Sequence, residues 1–177
     1  AEGVGTKVVD DEGINTQKNN LIENGIFKST FSNLYDGYKE NKNSTGNGAR
    51  IGSPMGRSSE PITISAPHNL KIDAGNSSQE DMIKDTKHGI LVGRLWYTYA
   101  VNPIKGDFSG TARSGVRIIE NGEIKNPGKS VRIIHNLPVM LKNISDIGNN
   151  QQNVIQWASL PSITPSIKTE KIKVISI

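Results

Sequence analysis

One phrase occurs twice in this chain. Leu21-Ile22-Glu23-Asn24-Gly25-Ile26-Phe27-Lys28 returns as Ile118-Ile119-Glu120-Asn121-Gly122-Glu123-Ile124-Lys125. Asn-Gly between apolar, β-branched runs is the strongest short-range signal for a hairpin, because a type I′ turn needs positive φ at both central residues. Glycine accepts that conformation at no steric cost and asparagine at little. A tight hairpin is therefore expected near residue 24 and another near residue 121.

Composition agrees with strands and turns. Of 177 residues only 34% are apolar and 18 are glycine, which suits a sheet-rich domain better than a helical bundle. A chain of this length forms one domain, 1–177, that buries about 68–70% of its unfolded surface.

The net charge is +4 and the sequence pI about 9.3, with acidic residues mixed among the basic ones. The densest basic run, Lys168-Thr169-Glu170-Lys171-Ile172-Lys173, alternates charged and apolar residues and reads as a solvated strand face. Few aromatics accompany the cations, which argues against a single-strand nucleic-acid binder. There is no cysteine, so disulfides, thiolate catalysis and sulfur-bearing zinc sites are excluded. No apolar stretch approaches a membrane span and no signal peptide opens the chain. A cytoplasmic location is expected, and the sequons at Asn43, Asn76 and Asn143 carry no weight. The first residue is alanine, consistent with a fragment or a processed product.

Along the chain, Thr6 to Val9 reads as a strand ending in the turn Asp10-Asp11-Glu12-Gly13. The arms of the first hairpin are expected over 16–23 and 26–32. Asn33 can cap a short helix, which Gly37 weakens. Residues 41–61, with Gly52, Gly56 and two prolines, read as a long loop. Ile62 to Ala66 and Leu70 to Asp73 read as strands. Ser77-Ser78-Gln79-Glu80 opens the best helix, closed by Gly89, with His88 complementing its C-terminus. Ile90 to Val101 is the most apolar strand and is expected at the centre of a sheet. Phe108 to Glu120 and Glu123 to Ile134 flank the second hairpin. A second main helix is expected over 137–147, with Asn136 as its cap and Pro138 in its first turn. Residues 149–162 form a polar loop around Trp157, and Ile167 to Ile177 is a closing strand. The fold class is α+β: mostly antiparallel β-sheets with Asn-Gly hairpins and two main helices.

Catalytic motifs are incomplete. His68, His88 and His135 lack the spacing that sets two imidazoles on one helical face. Gly106-Asp107-Phe108-Ser109-Gly110 has its serine one place late for a nucleophile elbow. Gly128-Lys129-Ser130 lacks the upstream glycine of a phosphate loop, since Glu123 stands there, and a strand follows it. Gly46-Asn47-Gly48-Ala49-Arg50 is either an anion-binding nest or, as the commoner case, a flexible loop.

The order of phrases resembles the C-terminal domain of the TldD/PmbA family, described as zinc-dependent proteases and also as modulators of DNA gyrase. The matching phrases begin with Asp10-Asp11-Glu12-Gly13, Leu21-Ile22-Glu23-Asn24-Gly25 and Ser44-Thr45-Gly46-Asn47-Gly48-Ala49-Arg50. Pro67-His68-Asn69-Leu70, Gly89-Ile90-Leu91-Val92, Val101-Asn102-Pro103 and Gly106-Asp107-Phe108-Ser109-Gly110 follow. Ile119-Glu120-Asn121-Gly122-Glu123-Ile124 and Leu141-Lys142-Asn143-Ile144-Ser145-Asp146-Ile147-Gly148-Asn149 complete them.

The resemblance implies a zinc site built elsewhere. The family's catalytic members place a His-Glu-x-x-x-His helix upstream of this region and complete the site with a cysteine near the C-terminus. The tail from Gly148 to Pro165 has no cysteine. Pro67 to Leu70 and the Asn102 to Gly110 segment look closer to the PmbA-like, non-catalytic subunit. The implied protein is a homo- or heterodimer with a TldD-like subunit that takes unfolded peptides, without membrane or nucleic-acid partners. This chain by itself then holds no metal and no catalytic residue, zinc belonging to the catalytic subunit. Asn47, Arg50, Asn102, Asp107 and Ser109 are the candidate peptide- or partner-binding residues. Sheet edges supplied by the hairpins are candidates for binding an extended peptide by strand addition. Two alternatives stand beside this reading. One is the same domain from an active zinc protease whose metal helix lies upstream; the other is a stand-alone β-rich binding module.

Overall fold

The Asn-Gly pairs of the two repeated phrases adopt the left-handed turn their sequence requires. The φ angles are 50° and 76° at Asn24 and Gly25, and 50° and 80° at Asn121 and Gly122. The structure, a computed structural model, describes residues 3–51, 61–155 and 160–177. Residues 52–60 of the expected long loop, and Trp157, lie outside these. The chain divides into two compact units: residues 1–73 with 152–164, and residues 74–151 with 165–177.

In the first unit, β1 (Ile22–Glu23) and β2 (Ile26–Phe27) form the first hairpin. Its arms pair over far fewer residues than expected. Thr6 to Val9 forms no strand; Val9 makes a lone bridge to Asn15. Helix α1 (Leu34–Lys39) does form, capped by Asn33, whose Oδ1 accepts from Asp36 N at 2.8 Å. Then β3 (Gly48–Ala49) pairs with β4 (Ile64–Ser65), and β5 (Leu70–Lys71) follows.

The second unit opens with α2 (Gln79–Lys84), capped by Ser78 as its sequence predicts. Met82 is the one buried residue of this helix. The helix stops at Lys84 because Thr86 and Lys87 turn their carbonyls to the second hairpin, accepting from Gly122 N and Asn121 N. His88 therefore starts a strand instead of complementing a helix end.

Six strands follow: β6 (His88–Val92), β7 (Trp96–Asn102), β8 (Asp107–Ala112), β9 (Val116–Glu120), β10 (Glu123–Pro127) and β11 (Val131–Asn136). They are three long antiparallel strands, each broken at a glycine. Gly93 N donates to Gly115 O at 3.1 Å, and Gly128 N to Val116 O at 2.8 Å, so the three breaks fall on one line across the strands. On one side lies the sheet β10-β9-β6. On the other, β11-β8-β7 gains β16 (Val174–Ser176) beside β11. Backbones at Gly93 and Gly115 approach within 3.5 Å of the place a Cβ would occupy.

The apolar run Ile90 to Val101 is thus neither one strand nor central. Among the described residues β6 and β7 each pair on one side only. Helix α3 (Leu137–Lys142) keeps the predicted Asn136 cap but is half the expected length. Ile144 and Ile147 are β-branched, and they enter β12 (Ile144–Ile147), which pairs with β15 (Ile167–Thr169). Between these strands the chain returns to the first unit for β13 (Gln152–Val154) and β14 (Ser162–Thr164), the latter parallel to β5. The closing run 167–177 is two short strands, separated at Lys171 with φ 58°.

Lys168 from the basic run is tied down. Its Nζ reaches Asp85 at the end of α2 at 2.7 Å, and this ammonium holds the Asp85 carboxyl below the usual carboxylate range. Lys168→Gln should return the Asp85 titration, followed by carboxyl NMR, to the ordinary range. A lowered folded pKa adds stability that is present above the ordinary range and lost as pH falls through the folded value. The difference in stability between wild type and Lys168→Gln should therefore vanish in acid.

The two hairpin glycines should respond differently to alanine. Gly25 has open space around it, so Gly25→Ala meets only the left-handed penalty of about 1–2 kcal/mol. A Cβ on Gly122 would sit 2.6 Å from the Lys84 carbonyl oxygen. Urea unfolding should show Gly122→Ala as the more damaging of the two.

Candidate functional site

Three adjacent carboxylates organise the first unit. Asp10 Oδ1 accepts from Glu12 N and Ile14 N, each at 2.9 Å, closing its own turn. Its Oδ2 accepts from Gly48 N at 2.8 Å. Asp11 accepts from Arg50 N at 2.8 Å and from Lys7 Nζ at 2.8 Å. Glu12 accepts from Leu34 N at 2.8 Å and from Thr63 Oγ1.

The Gly46 to Arg50 loop is therefore an anion-binding arrangement and not the flexible loop that was the commoner expectation, and the anions are Asp10 and Asp11 of the same unit. Gly46 takes φ 69°, with Asn15 O only 2.3 Å from where a Cβ would lie. Asn47 is buried beside it. Its Oδ1 accepts from Asn19 Nδ2 at 2.8 Å and Thr45 Oγ1 at 2.9 Å, and its Nδ2 donates to Ala66 O at 3.2 Å. The Arg50 guanidinium donates through Nη1 to Pro61 O at 2.9 Å. Asn47 and Arg50 thus hold loops together.

The other three candidates share one face of the sheet β16-β11-β8-β7. Register places them in rows, because residues two apart on a strand face the same way. Trp96, Thr111, Arg132 and Ile175 form the first row, and Tyr99, Ser109 and Ile134 the second. Asn102, Asp107 and Asn136 form the third. Ser109 and Thr111, 5% and 6% exposed, make a low floor between the exposed Trp96 and Tyr99 on one side and Ile134 on the other. From Asp107 to Thr111 this trough runs about 14 Å, the length of a short extended peptide.

Its two ends differ. At one end Asn136 Nδ2 donates to Asp107 Oδ1 at 2.9 Å while its Oδ1 caps α3, and Asn102 Oδ1 accepts from Lys105 N at 3.1 Å. At the other end the Arg94 guanidinium stacks 4.0 Å over the Trp96 ring. Arg113 stands 5.3 Å over Tyr97. Tyr97 takes φ 48° inside a bulge between Trp96 and Tyr99 and is 65% exposed. A bulky residue in that region is strained, and such residues concentrate at binding sites.

Sequence reasoning missed Arg94, Trp96, Tyr97 and Tyr99. Their signal was the crowding of three aromatics beside an arginine in one run, which was read as a central strand.

The donors for a zinc ion do not fit. The sequence has no cysteine. His68 is in the first unit, its Nε2 3.2 Å from Gly46 O. His88 faces Glu120 across β6 and β9, and His135 pairs with Phe108 in the other sheet. Among the described residues no three histidines, aspartates or glutamates come together as a metal site would need. No described helix is long and apolar enough to cross a membrane.

Comparison with known proteins finds the family described as PmbA/TldA metallopeptidase C-terminal domain, whose profile matches residues 1–176. The Metalloprotease PmbA of Escherichia coli O157:H7 is 30% identical over 149 residues, covering 84% of this chain and 29% of that protein. A Metalloprotease TldD homolog of Buchnera aphidicola subsp. Acyrthosiphon pisum is 32% identical over 152 residues, covering 82% and 29%. The crystal structure of TldE from Thermococcus kodakarensis superimposes with a TM-score of 0.81 at 32% identity, covering 96% of this chain and 36% of that one. A Thermotoga maritima protein described as a modulator of a DNA gyrase gives 0.77 at 29% identity, covering 97% and 36%. The chain spans about a third of the length of the relatives it matches.

Removing the Asp10 carboxylate leaves three backbone N–H groups without their acceptor. Asp10→Ala should destabilise by about 3 kcal/mol or more in urea unfolding. Asp10→Asn, which keeps one oxygen, should fall between it and wild type.

Proposed function

The chain belongs to the PmbA/TldD metallopeptidase family as its C-terminal domain, and we propose that it serves the non-catalytic, PmbA-like subunit of a heterodimeric protease acting on unfolded peptides. The observation that carries this reading is the trough on β7, β8 and β11 together with the outer edge of the β6–β7 strand. Backbone groups along that edge can pair with an extended chain of any sequence. The aromatic rings of Trp96 and Tyr99 supply apolar contact beside it, and Asn102, Asp107 and Ser109 lie along the same face. Asn47 and Arg50 serve as loop anchors within their own unit.

Zinc, in this reading, belongs to a TldD-like partner, because these residues offer neither sulfur nor a grouped imidazole pair to hold it. A zinc ion held by that partner would supply Lewis-acid chemistry at the scissile peptide bond. This domain presents and excludes: it aligns an extended peptide and keeps solvent from its backbone. A cytoplasmic location goes with this reading.

The alternative is the same domain in an active subunit. The 32% identity to a TldD homolog, against 30% to PmbA, favours neither subunit by sequence alone. A His-Glu-x-x-x-His helix upstream of residue 1 would select the alternative, and the missing cysteine would then need a substitute ligand.

The deciding measurement is zinc content and peptide cleavage by the full-length protein, with and without its TldD-like partner. Sub-stoichiometric zinc in the isolated subunit, with cleavage appearing only in the mixture, is the expected result. Hydrogen exchange at β6 and β7 should slow when partner and peptide are added. Stoichiometric zinc and cleavage by the isolated protein would overturn the proposal.

A further inference from the structure

The chain contains three Asn-Gly pairs, at Asn24, Asn47 and Asn121, and the structure gives each a different freedom. Asn-Gly is the dipeptide most open to self-modification. The backbone nitrogen of the glycine attacks the side-chain Cγ of the asparagine, the C–N bond of the carboxamide breaks, and ammonia leaves. Water then opens the resulting succinimide at either carbonyl, giving aspartate or isoaspartate. No redox change and no reactant other than water is involved.

Two requirements decide whether a given pair reacts: the glycine N–H must be free to attack, and the backbone must leave the turn conformation that holds nitrogen and Cγ out of line. Asn47 meets neither. Its carboxamide makes three hydrogen bonds, and Gly48 N is held by Asp10. Asn121 fails as well. Its own N–H and that of Gly122 are bonded to Lys87 O and Thr86 O, a place for Cβ on Gly122 lies 2.6 Å from Lys84 O, and its hairpin is flanked by β6.

Asn24 differs on every count. It is exposed, Gly25 has nothing within 4 Å of its Cβ position, and its hairpin pairs Ile22 with Phe27 and Glu23 with Ile26, with one more backbone bond from Lys28 N to Leu21 O. A two-stranded ribbon of that size is marginal in water and opens often. We infer that Asn24 is a site of spontaneous, one-way deamidation, and that Asn47 and Asn121 are protected. Aspartate there adds a carboxylate beside Glu23, whose ion pair with Lys28 spans 3.6 Å. Isoaspartate adds a methylene to the backbone of a two-residue turn and cannot keep the Glu23–Ile26 register. Either product alters a hairpin tip that exposes Ile22, Ile26 and Phe27.

The test is peptide mapping by mass spectrometry of the full-length protein, incubated at 37 °C at neutral and at mildly alkaline pH. An unstructured Asn-Gly peptide is incubated beside it as a reference. The amide-to-acid mass change should appear at Asn24 at least about ten-fold faster than at Asn121 or Asn47, as expected if local opening controls the rate. Conversion should rise with pH and release ammonia, and Asn24→Ser should remove most of the ammonia. Hydrogen exchange should be faster at Gly25 than at Gly122, a readout that needs no variant. An unchanged Asn24 when the reference peptide has converted, or equal conversion at Asn24 and Asn121, would overturn the inference. Neither outcome bears on zinc or on peptide cleavage, so this inference stands or falls apart from the proposed function.

Discussion

The Asp10 carboxylate, 5% exposed, receives three backbone N–H groups from two separate loops. Burying an ionised carboxylate costs several kcal/mol. Hydrogen bonds to charged groups contribute about 1.5–3 kcal/mol each, so three of them are enough to offset that cost. The first unit needs such an anchor, because Ala49, Ala66 and Ile163 are the buried apolar residues among those described in it. With so little apolar burial, loop positions are set by what Asp10, Asp11 and Glu12 hold. The second unit has Met82, Ala112, Val116, Ile119 and Ile133 buried, and its strands bend over them at Gly93, Gly115 and Gly128.

Local signals were legible and non-local ones were not. The Asn-Gly turns, the Asn33, Ser78 and Asn136 caps and the family phrases each depend on residues a few positions apart, and all appear as read. The bends could not be read this way. Gly93, Gly115 and Gly128 look like isolated strand glycines in sequence, and only register shows that they line up. The shortening of α2 and α3 has the same origin: residues 86–87 and 144–147 pair with segments far along the chain. Gly46 to Arg50 left a flexible loop as the commoner reading, because the anions its backbone binds lie some forty residues earlier, at Asp10 and Asp11.

The misplacement of Ile90 to Val101 has a different cause. Apolar density reports that a strand rests against something; it does not say which residues supply the cover. Trp96, Tyr97, Tyr99 and Val101 are all exposed here. Arginines on two of the rings answer part of that exposure, since a guanidinium over an aromatic face keeps its charge in water while covering carbon. The five candidate residues divide for a related reason. Asn47 and Arg50 come from a loop phrase and bond to neighbouring loops of their unit, whereas Asn102, Asp107 and Ser109 come from paired strands and share one sheet face, with Ser109 buried in it.

Tyr97 shows how one strained residue shapes that face. Left-handed backbone at a bulky residue costs roughly 1–2 kcal/mol. An exposed cation–π contact such as that with Arg113 contributes about 0.5–1 kcal/mol, so the contact does not by itself offset the strain. The bulge also has a geometric consequence. It sets Trp96 and Tyr99, three positions apart, on the same face of the sheet, where regular alternation would put them on opposite faces. Two aromatic walls then stand beside the low Ser109–Thr111 floor. The strain at Tyr97 is thus the local cost of bringing both rings to one side of the Ser109–Thr111 row.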